Sequence, residues 1–381
     1  MTFPFQTIGV VAAALVTAAL IALITTPVVK SLAFKIGAVD VPKDNRRMHK
    51  HPIPRMGGLA IFLGFLFSVL IFLPLTQQVR GMMLGAVVIV VLGIFDDIYA
   101  LGAKFKFLVQ IVAALLAVLA GNEITILSNP NIFSSNPYWN LGILSIPFSV
   151  LWIVAITNAV NLIDGLDGLA CGVSTISSMT LLVIALVVSE PEVAILMAAL
   201  AGGCIGFIPY NLNPAKIFMG DTGSTFLGYV LAVVSINGLF KSAAIISFAV
   251  PFLMLGLPIF DTCFAILRRV SHGQSPMAPD RGHIHHRLID MGLTQKQAVA
   301  VLYVISAILG LSAVVLTTNG VEKAMMFLLA LGLAGGFSAK LYLDRINGRN
   351  QPAPRPKFLN NPPSDVAGSD HFFGEEERSE K

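Results

Sequence analysis

The sequence predicts an all-α membrane protein of about eleven transmembrane helices, its amino terminus outside and its carboxyl terminus in the cytoplasm. Three observations carry this. Hydrophobic residues make up 55% of the 381 and charged residues only 12%, about half the roughly 25% of a soluble domain. Apolar runs of about 20 residues, the length that crosses a bilayer as a helix, recur along most of the chain. Finally, all of the 25 Lys and Arg except Arg80, Lys241 and Lys323 fall into alternate loops or the tail, which fixes orientation because cytoplasmic loops concentrate Lys and Arg.

The apolar runs lie at about 7–29, 56–74, 81–96, 105–121, 142–159, 168–188, 192–209, 223–239, 242–261, 298–317 and 323–342. An odd number of crossings is what the two termini require. The first run lacks a basic segment before it and a small-residue cleavage site after it, so it is expected to remain as a membrane helix. The outer loop 122–141 has no Lys or Arg. Residues 1–346 form the transmembrane domain, and the tail 347–381, rich in Pro, Asn, Ser and Glu, is expected to be disordered.

Composition also narrows the chemistry. A net charge of +4 without a basic domain or interleaved aromatics argues against a nucleic-acid partner. Cys171, Cys204 and Cys263 lie in or beside apolar runs without CxxC spacing and read as packing residues.

With topology set by charge alone, the polar motifs arrive on one side. Asp96-Asp97 ends an apolar run just before Lys104 and Lys106. Two adjacent carboxylates at a membrane boundary stay ionised only if a cation or a basic substrate compensates, and otherwise take up protons; a pair merely solvated at a helix end is the plainer alternative. In Asn158-Ala-Val-Asn161-Leu-Ile-Asp164-Gly-Leu-Asp167-Gly168, helical spacing over 161–168 would put Asn161, Asp164 and Asp167 on one face, although the aspartates could equally cap a helix turn. Asp221 stands in a Gly-rich loop, FMGDTGS, that opens onto a new helix; Thr222 and Ser224 there could meet phosphate oxygens or orient metal-bound water, and Asp221 as a helix N-cap is the alternative. The inner loop 268–296 holds His283, His285 and His286 with Arg281 and Arg287. Without a nearby cysteine, and with two histidines adjacent, it suits phosphate donors better than zinc; a solvated basic loop is the alternative. Asp261 is expected to pair with Arg268 or Arg269 as a support residue.

These blocks together resemble the polyprenyl-phosphate N-acetylhexosamine-1-phosphate transferase family from about Gly37 to Leu293, through GAVDVPKDNRRMHKHPIPRMGGLAIFLGF, GIFDDIYALGAKFKFLVQ, NAVNLIDGLDGLA, FMGDTGS and HIHHRL. The first block, and Arg287 where the muramoyl-pentapeptide branch typically continues a histidine run, are similar to the branch that uses UDP-N-acetylglucosamine.

The resemblance implies transfer of GlcNAc-1-phosphate from UDP-GlcNAc to undecaprenyl phosphate, releasing UMP. This is the first membrane step of a teichoic acid, O-antigen or related glycopolymer. It implies Mg²⁺, with Mn²⁺ as a substitute, on Asp221 and Asn161. Asp96 and Asp97 would position or deprotonate the lipid phosphate, with Asp221 completing the catalytic set. Asn161, Asp164 and Asp167 would contact the nucleotide or sugar, and Lys106, His283, His285 and His286 the diphosphate or sugar. The partners are then the UDP-sugar, the polyprenyl phosphate and the cell membrane, with the site facing the cytoplasm and room for a homodimer. A muramoyl-pentapeptide transferase is the alternative within the family. A secondary transporter is the alternative outside it, although its site would sit in broken helices at the bilayer midplane.

Overall fold

The computed structural model describes residues 5–41, 51–128, 138–237, 249–275 and 282–318, with isolated positions between 326 and 340. The chain divides into a unit of Met1–Ala334 and a second of Gly335–Lys381. The expected span 323–342 falls largely outside the described residues, and Arg281 and the tail 347–381 wholly so.

Helices dominate, as the apolar runs require. They are α1 (Phe5–Ile36), α2 (Gly58–Phe72), α3 (Gln77–Tyr99), α4 (Ala103–Leu119), α5 (Ser145–Leu162), α6 (Leu169–Val187), α7 (Pro191–Asn211), α8 (Gly220–Ser235), α9 (Ala249–Met254), α10 (Gly256–Ser271), α11 (Ile284–Asp290) and α12 (Gln295–Thr317). Two antiparallel ribbons interrupt them: β1 (Val39–Asp40) with β2 (Ile53–Pro54), and β3 (Ile126–Ser128) with β4 (Tyr138–Asn140). Starts follow local chemistry. Thr76 caps α3 by accepting from the Val79 amide, and Thr294 with Gln297 forms a capping box on α12.

Among the described residues, six helices are long and apolar enough to cross a membrane, namely α1, α3, α5 with the short turn before it, α6, α7 and α12, while α2 is apolar but shorter. Side chains such as Ile24 and Val28 point outward at 68% and 67% exposure, as helices solvated by lipid do. The helix expected to run unbroken over 242–261 is instead divided at Leu255 between α9 and α10. Pro258 has no amide hydrogen to give the Met254 carbonyl one turn back, and that carbonyl accepts from Ser177 Oγ at 2.8 Å instead.

Small residues set how closely the helices approach. The α1 stripe Ala14, Ala18 and Ala22 is fully buried. Gly202 and Gly206 of α7 rest directly on the Leu15 and Ala19 carbonyls of α1, the close crossing that small residues permit when lipid offers no hydrophobic drive. α8 is central: it packs on α2, α3 and α5 and is buried along almost its whole length. Its fully buried Tyr229 donates within reach of two carbonyls, Met82 O on α3 at 3.2 Å and Ala113 O on α4 at 3.3 Å. Gly58 at the start of α2 meets Gly223 backbone to backbone. The start of α8 is thereby held against α2 and α3.

Candidate active site

The start of α8 is where the separate motifs meet. Gly220 adopts φ +70°, and Asp221 follows in the first helical turn. Asp221 is therefore not the N-cap of α8. The first amides are capped from another helix: Asp97, 7% exposed, accepts from Asp221 N at 3.0 Å, Thr222 N at 3.1 Å and Thr222 Oγ1 at 2.7 Å. One turn earlier on α3, Gly93 lies so close to the Thr222 backbone that a Cβ would collide.

Asp221 then points its carboxylate at three other elements. Its Oδ2 accepts from Lys106 Nζ at 3.0 Å, and the same ammonium donates to Asp96 Oδ2 at 2.8 Å. Asp96 Oδ1 accepts from the Leu101 amide at 2.7 Å across the α3–α4 turn. Asp221 Oδ1 accepts from Asn161 Nδ2 at 3.0 Å, and that amide also donates to Ser224 Oγ at 2.8 Å. Asp96, Asp97, Lys106, Asn161 and Asp221 thus form one cluster, in which a single ammonium faces the carboxylates of Asp96 and Asp221.

Beside it opens a cavity of about 650 Å³ lined by Asn161, Asp164, Asp167, Asp221 and His286 among the expected residues. Asp96, Asp97, Lys106, His283 and His285 do not line it; the first three lie beyond Asp221. Asn161, Asp164 and Asp167 do not share the helical face that their spacing suggests. α5 ends at Leu162, and 163–168 are turns closing on Gly168 at φ +79°, so loop geometry and not one helical face brings the three together. Asp167 Oδ2 accepts from Asn213 Nδ2 at 2.9 Å and the Ala215 amide at 3.0 Å, tying the α5–α6 loop to the α7–α8 loop.

The histidine loop docks on this layer. His285 is buried with its imidazole where a Cβ on Gly165 would be, and the His285 and His286 rings lie 4.2 Å apart. Asp261 pairs with His283, where Arg268 or Arg269 was expected: its Oδ2 meets His283 Nδ1 at 2.8 Å, and its Oδ1 accepts from the Ile284 amide at 2.8 Å. That carboxylate fixes the start of α11, and Arg268 instead donates to the Gly282 carbonyl at 2.9 Å. Residues from α3, α5, α8 and the loop before α11 therefore share one end of the bundle.

Two groups around the cavity layer are shifted far from their usual values. Burial, followed by the negative charge of Asp221 and Asp97, pushes Asp164 up to about 7, with Arg55 pulling the other way. Burial, and then His286, pulls His285 down to about 4, so it is a neutral imidazole near pH 7. For Asp164 the sign is unfavourable to ionisation. An unfolded Asp releases its proton near 3.9, so between about 4 and 7 the folded state holds more protons and stability falls as pH rises. Asp164→Asn should flatten that fall, which melting temperatures of the purified protein across the window would reveal; an unchanged slope would contradict the assignment.

In the sequence Arg55 is one inner-loop cation among several, within the block HPIPRMGG and without a role of its own, yet it lines the cavity, as do Lys30 and Lys216. Asp97 was grouped with Asp96 as a catalytic pair, and nothing local indicated that it caps a helix over a hundred residues away.

The glycosyl transferase family 4 model matches residues 79–239, the stretch that contributes Asp96, Asp97, Lys106, Asn161 and Asp221. Among curated proteins, the chain is 45% identical over 319 residues, 84% of its length and 88% of the relative's, to a probable undecaprenyl-phosphate N-acetylglucosaminyl 1-phosphate transferase of Bacillus subtilis. It is 35% identical over 326 residues, 78% of its length and 80% of the relative's, to a decaprenyl-phosphate N-acetylglucosaminephosphotransferase of Mycolicibacterium smegmatis. An undecaprenyl-phosphate alpha-N-acetylglucosaminyl 1-phosphate transferase of Escherichia coli O157:H7 is 29% identical over 286 residues, 74% of this chain and 77% of the relative.

Proposed function

The chain belongs to glycosyl transferase family 4, and from that premise we propose that it transfers GlcNAc-1-phosphate from UDP-GlcNAc to undecaprenyl phosphate at the cytoplasmic face of the cell membrane. Undecaprenyl-diphospho-GlcNAc and UMP are the products, and a cell-envelope glycopolymer is the destination. The observation that carries the reading is the convergence of Asp96, Lys106, Asn161 and Asp221 beside a cavity within the roughly 300–1,000 Å³ of small-molecule sites. The relatives' names favour this over the muramoyl-pentapeptide alternative.

Both reactants are anions, so cationic groups must offset their repulsion. An oxygen of the lipid phosphate attacks the β-phosphorus of the donor, and the bond from that phosphorus to the bridging oxygen of UMP breaks. Lys106 meets the incoming phosphate: its side chain is 28% exposed, and its ammonium lies between Asp96 and Asp221. A phosphate monoester has its second pKa near 6 and is largely ionised already, so Asp96 need not remove a proton; its part is to aim Lys106. Asp97 holds the first turn of α8 in place. Asn161 and Asp164 face the donor in the cavity.

Among the described residues, no three His, Cys, Asp or Glu side chains converge into a ready-made metal site. This fits Mg²⁺ better than a caged ion, since Mg²⁺ takes one or two carboxylates and completes its shell with water and substrate phosphates. Asp221 and the free Oδ1 of Asn161 would hold it, and the donor set is all oxygen. When bound it would neutralise charge on the diphosphate and ease departure of UMP.

UMP release by the purified protein in detergent should require UDP-GlcNAc, polyprenyl phosphate and Mg²⁺ together. Release with UDP-MurNAc-pentapeptide and not with UDP-GlcNAc would overturn the donor, and release unchanged by a chelator would overturn the metal.

A further inference from the structure

Arg55 is the residue whose position the reading so far leaves unused. It follows β2, and its own amide donates to Ala38 O at 2.9 Å. The backbone on either side is pinned to the α7–α8 loop: Phe218 N donates to Pro54 O at 2.8 Å, and Gly57 N and Gly58 N donate to Phe218 O and Met219 O, each at 2.9 Å. A ribbon fixed in this way delivers the side chain to the cavity wall. Its Nε is buried and has no hydrogen-bond partner among the described residues. The buried Nε is closed to solvent, so a ligand would meet the terminal N–H groups, whose planar fork matches phosphate oxygens in pairs.

We propose that Arg55 binds the diphosphate of the nucleotide-sugar donor. This rests on the donor reading above and deepens it. The phosphate chemistry alone could belong to either reactant, and two observations separate them. The cavity that Arg55 lines carries the polar side chains of Asp164, Asn211 and Asn213, whereas Asp96 and Lys106 lie outside it. Phe95, Tyr99 and Phe105, at 51%, 67% and 54% exposure, adjoin Asp96 and Lys106 along the chain, an exposed apolar surface suited to a prenyl chain. Arg55 therefore stands on the water-soluble reactant's side. Lys216 and Lys30 line the same cavity and supply the charge that admits a dianion.

The test compares UDP with uridine on full-length protein in detergent with Mg²⁺, by calorimetry. Wild type should prefer UDP. In Arg55→Ala and the similarly long Arg55→Gln, UDP affinity should fall by about tenfold or more while uridine affinity holds, with Arg55→Lys between, as expected for losing a charge-assisted phosphate contact. In turnover assays, KM for UDP-GlcNAc should rise while KM for polyprenyl phosphate stays constant. Equal UDP binding by wild type and Arg55→Gln would overturn the assignment and leave the donor reading standing, as would a rise confined to the lipid KM. A wild-type protein that binds no UDP would overturn the donor reading, and the assignment with it.

Discussion

Asp221→Asn is expected to cut turnover on the order of 10²–10³-fold or more, the scale of removing one preorganised polar contact from a reacting centre, while the protein still inserts and melts close to wild type. Both carboxylate oxygens accept from donors, Oδ1 from Asn161 and Oδ2 from Lys106. An asparagine keeps one acceptor and turns the other position into a donor. Facing Lys106, that new N–H₂ would oppose an ammonium. Facing Asn161 instead, it can be accommodated, since the Asn161 amide can turn over and Ser224 can redirect the hydroxyl it now gives to Gly220 O. The fold therefore survives with Lys106 still held by Asp96. What is lost is the negative charge on which an Mg²⁺ would sit. Turnover measured beside a melting curve checks both halves, and a variant retaining a tenth of wild-type activity would remove Asp221 from the centre of the mechanism.

The sequence motifs made much of this cluster legible. Asp96, Lys106, Asn161 and Asp221 each stand at a helix end where a polar side chain has no reason to meet lipid, and the alternation of spans brings those ends together. What stayed hidden depends on tertiary placement. The i, i+3, i+6 pattern of Asn161, Asp164 and Asp167 looked helical, but glycines at 165 and 168 give turns, and Gly165 is occupied by His285 packing on it. Arg55 read as one topogenic charge among several, because only the β1–β2 ribbon and its bonds to Phe218 and Met219 aim it at the cavity. Asp261 faced two arginines in sequence, yet the start of α11 gave it His283 and an amide at once. The break between α9 and α10 was readable in principle from Pro258, but the hydropathy of 242–261 outweighed it.

Asp97 shows how a motif residue can be recognised correctly and its role misjudged. As a base or phosphate positioner, its replacement by Asn should spare stability and remove activity. The geometry predicts otherwise, because all three donors that reach Asp97 belong to Asp221 and Thr222, and both of its oxygens are committed to them. Asp97→Ala leaves these buried groups without an acceptor, at about 1–3 kcal/mol each, and removes a negative charge from a helix start that favours one. Asp97→Asn places an N–H₂ against at least one of the same donors. Both variants should therefore lower the melting temperature and turnover together, with Ala the worse. Gly220→Ala should behave similarly, since a Cβ there would collide with the Asp97 carboxylate and Gly220 sits at a φ that favours glycine. Asp96→Asn is the contrast: it gives up one contact to the partly exposed Lys106 and can keep the Leu101 amide, so its melting temperature should move less. If Asp97→Asn melted like wild type and yet failed to turn over, the carboxylate would be acting on the substrate and not on the first turn of α8.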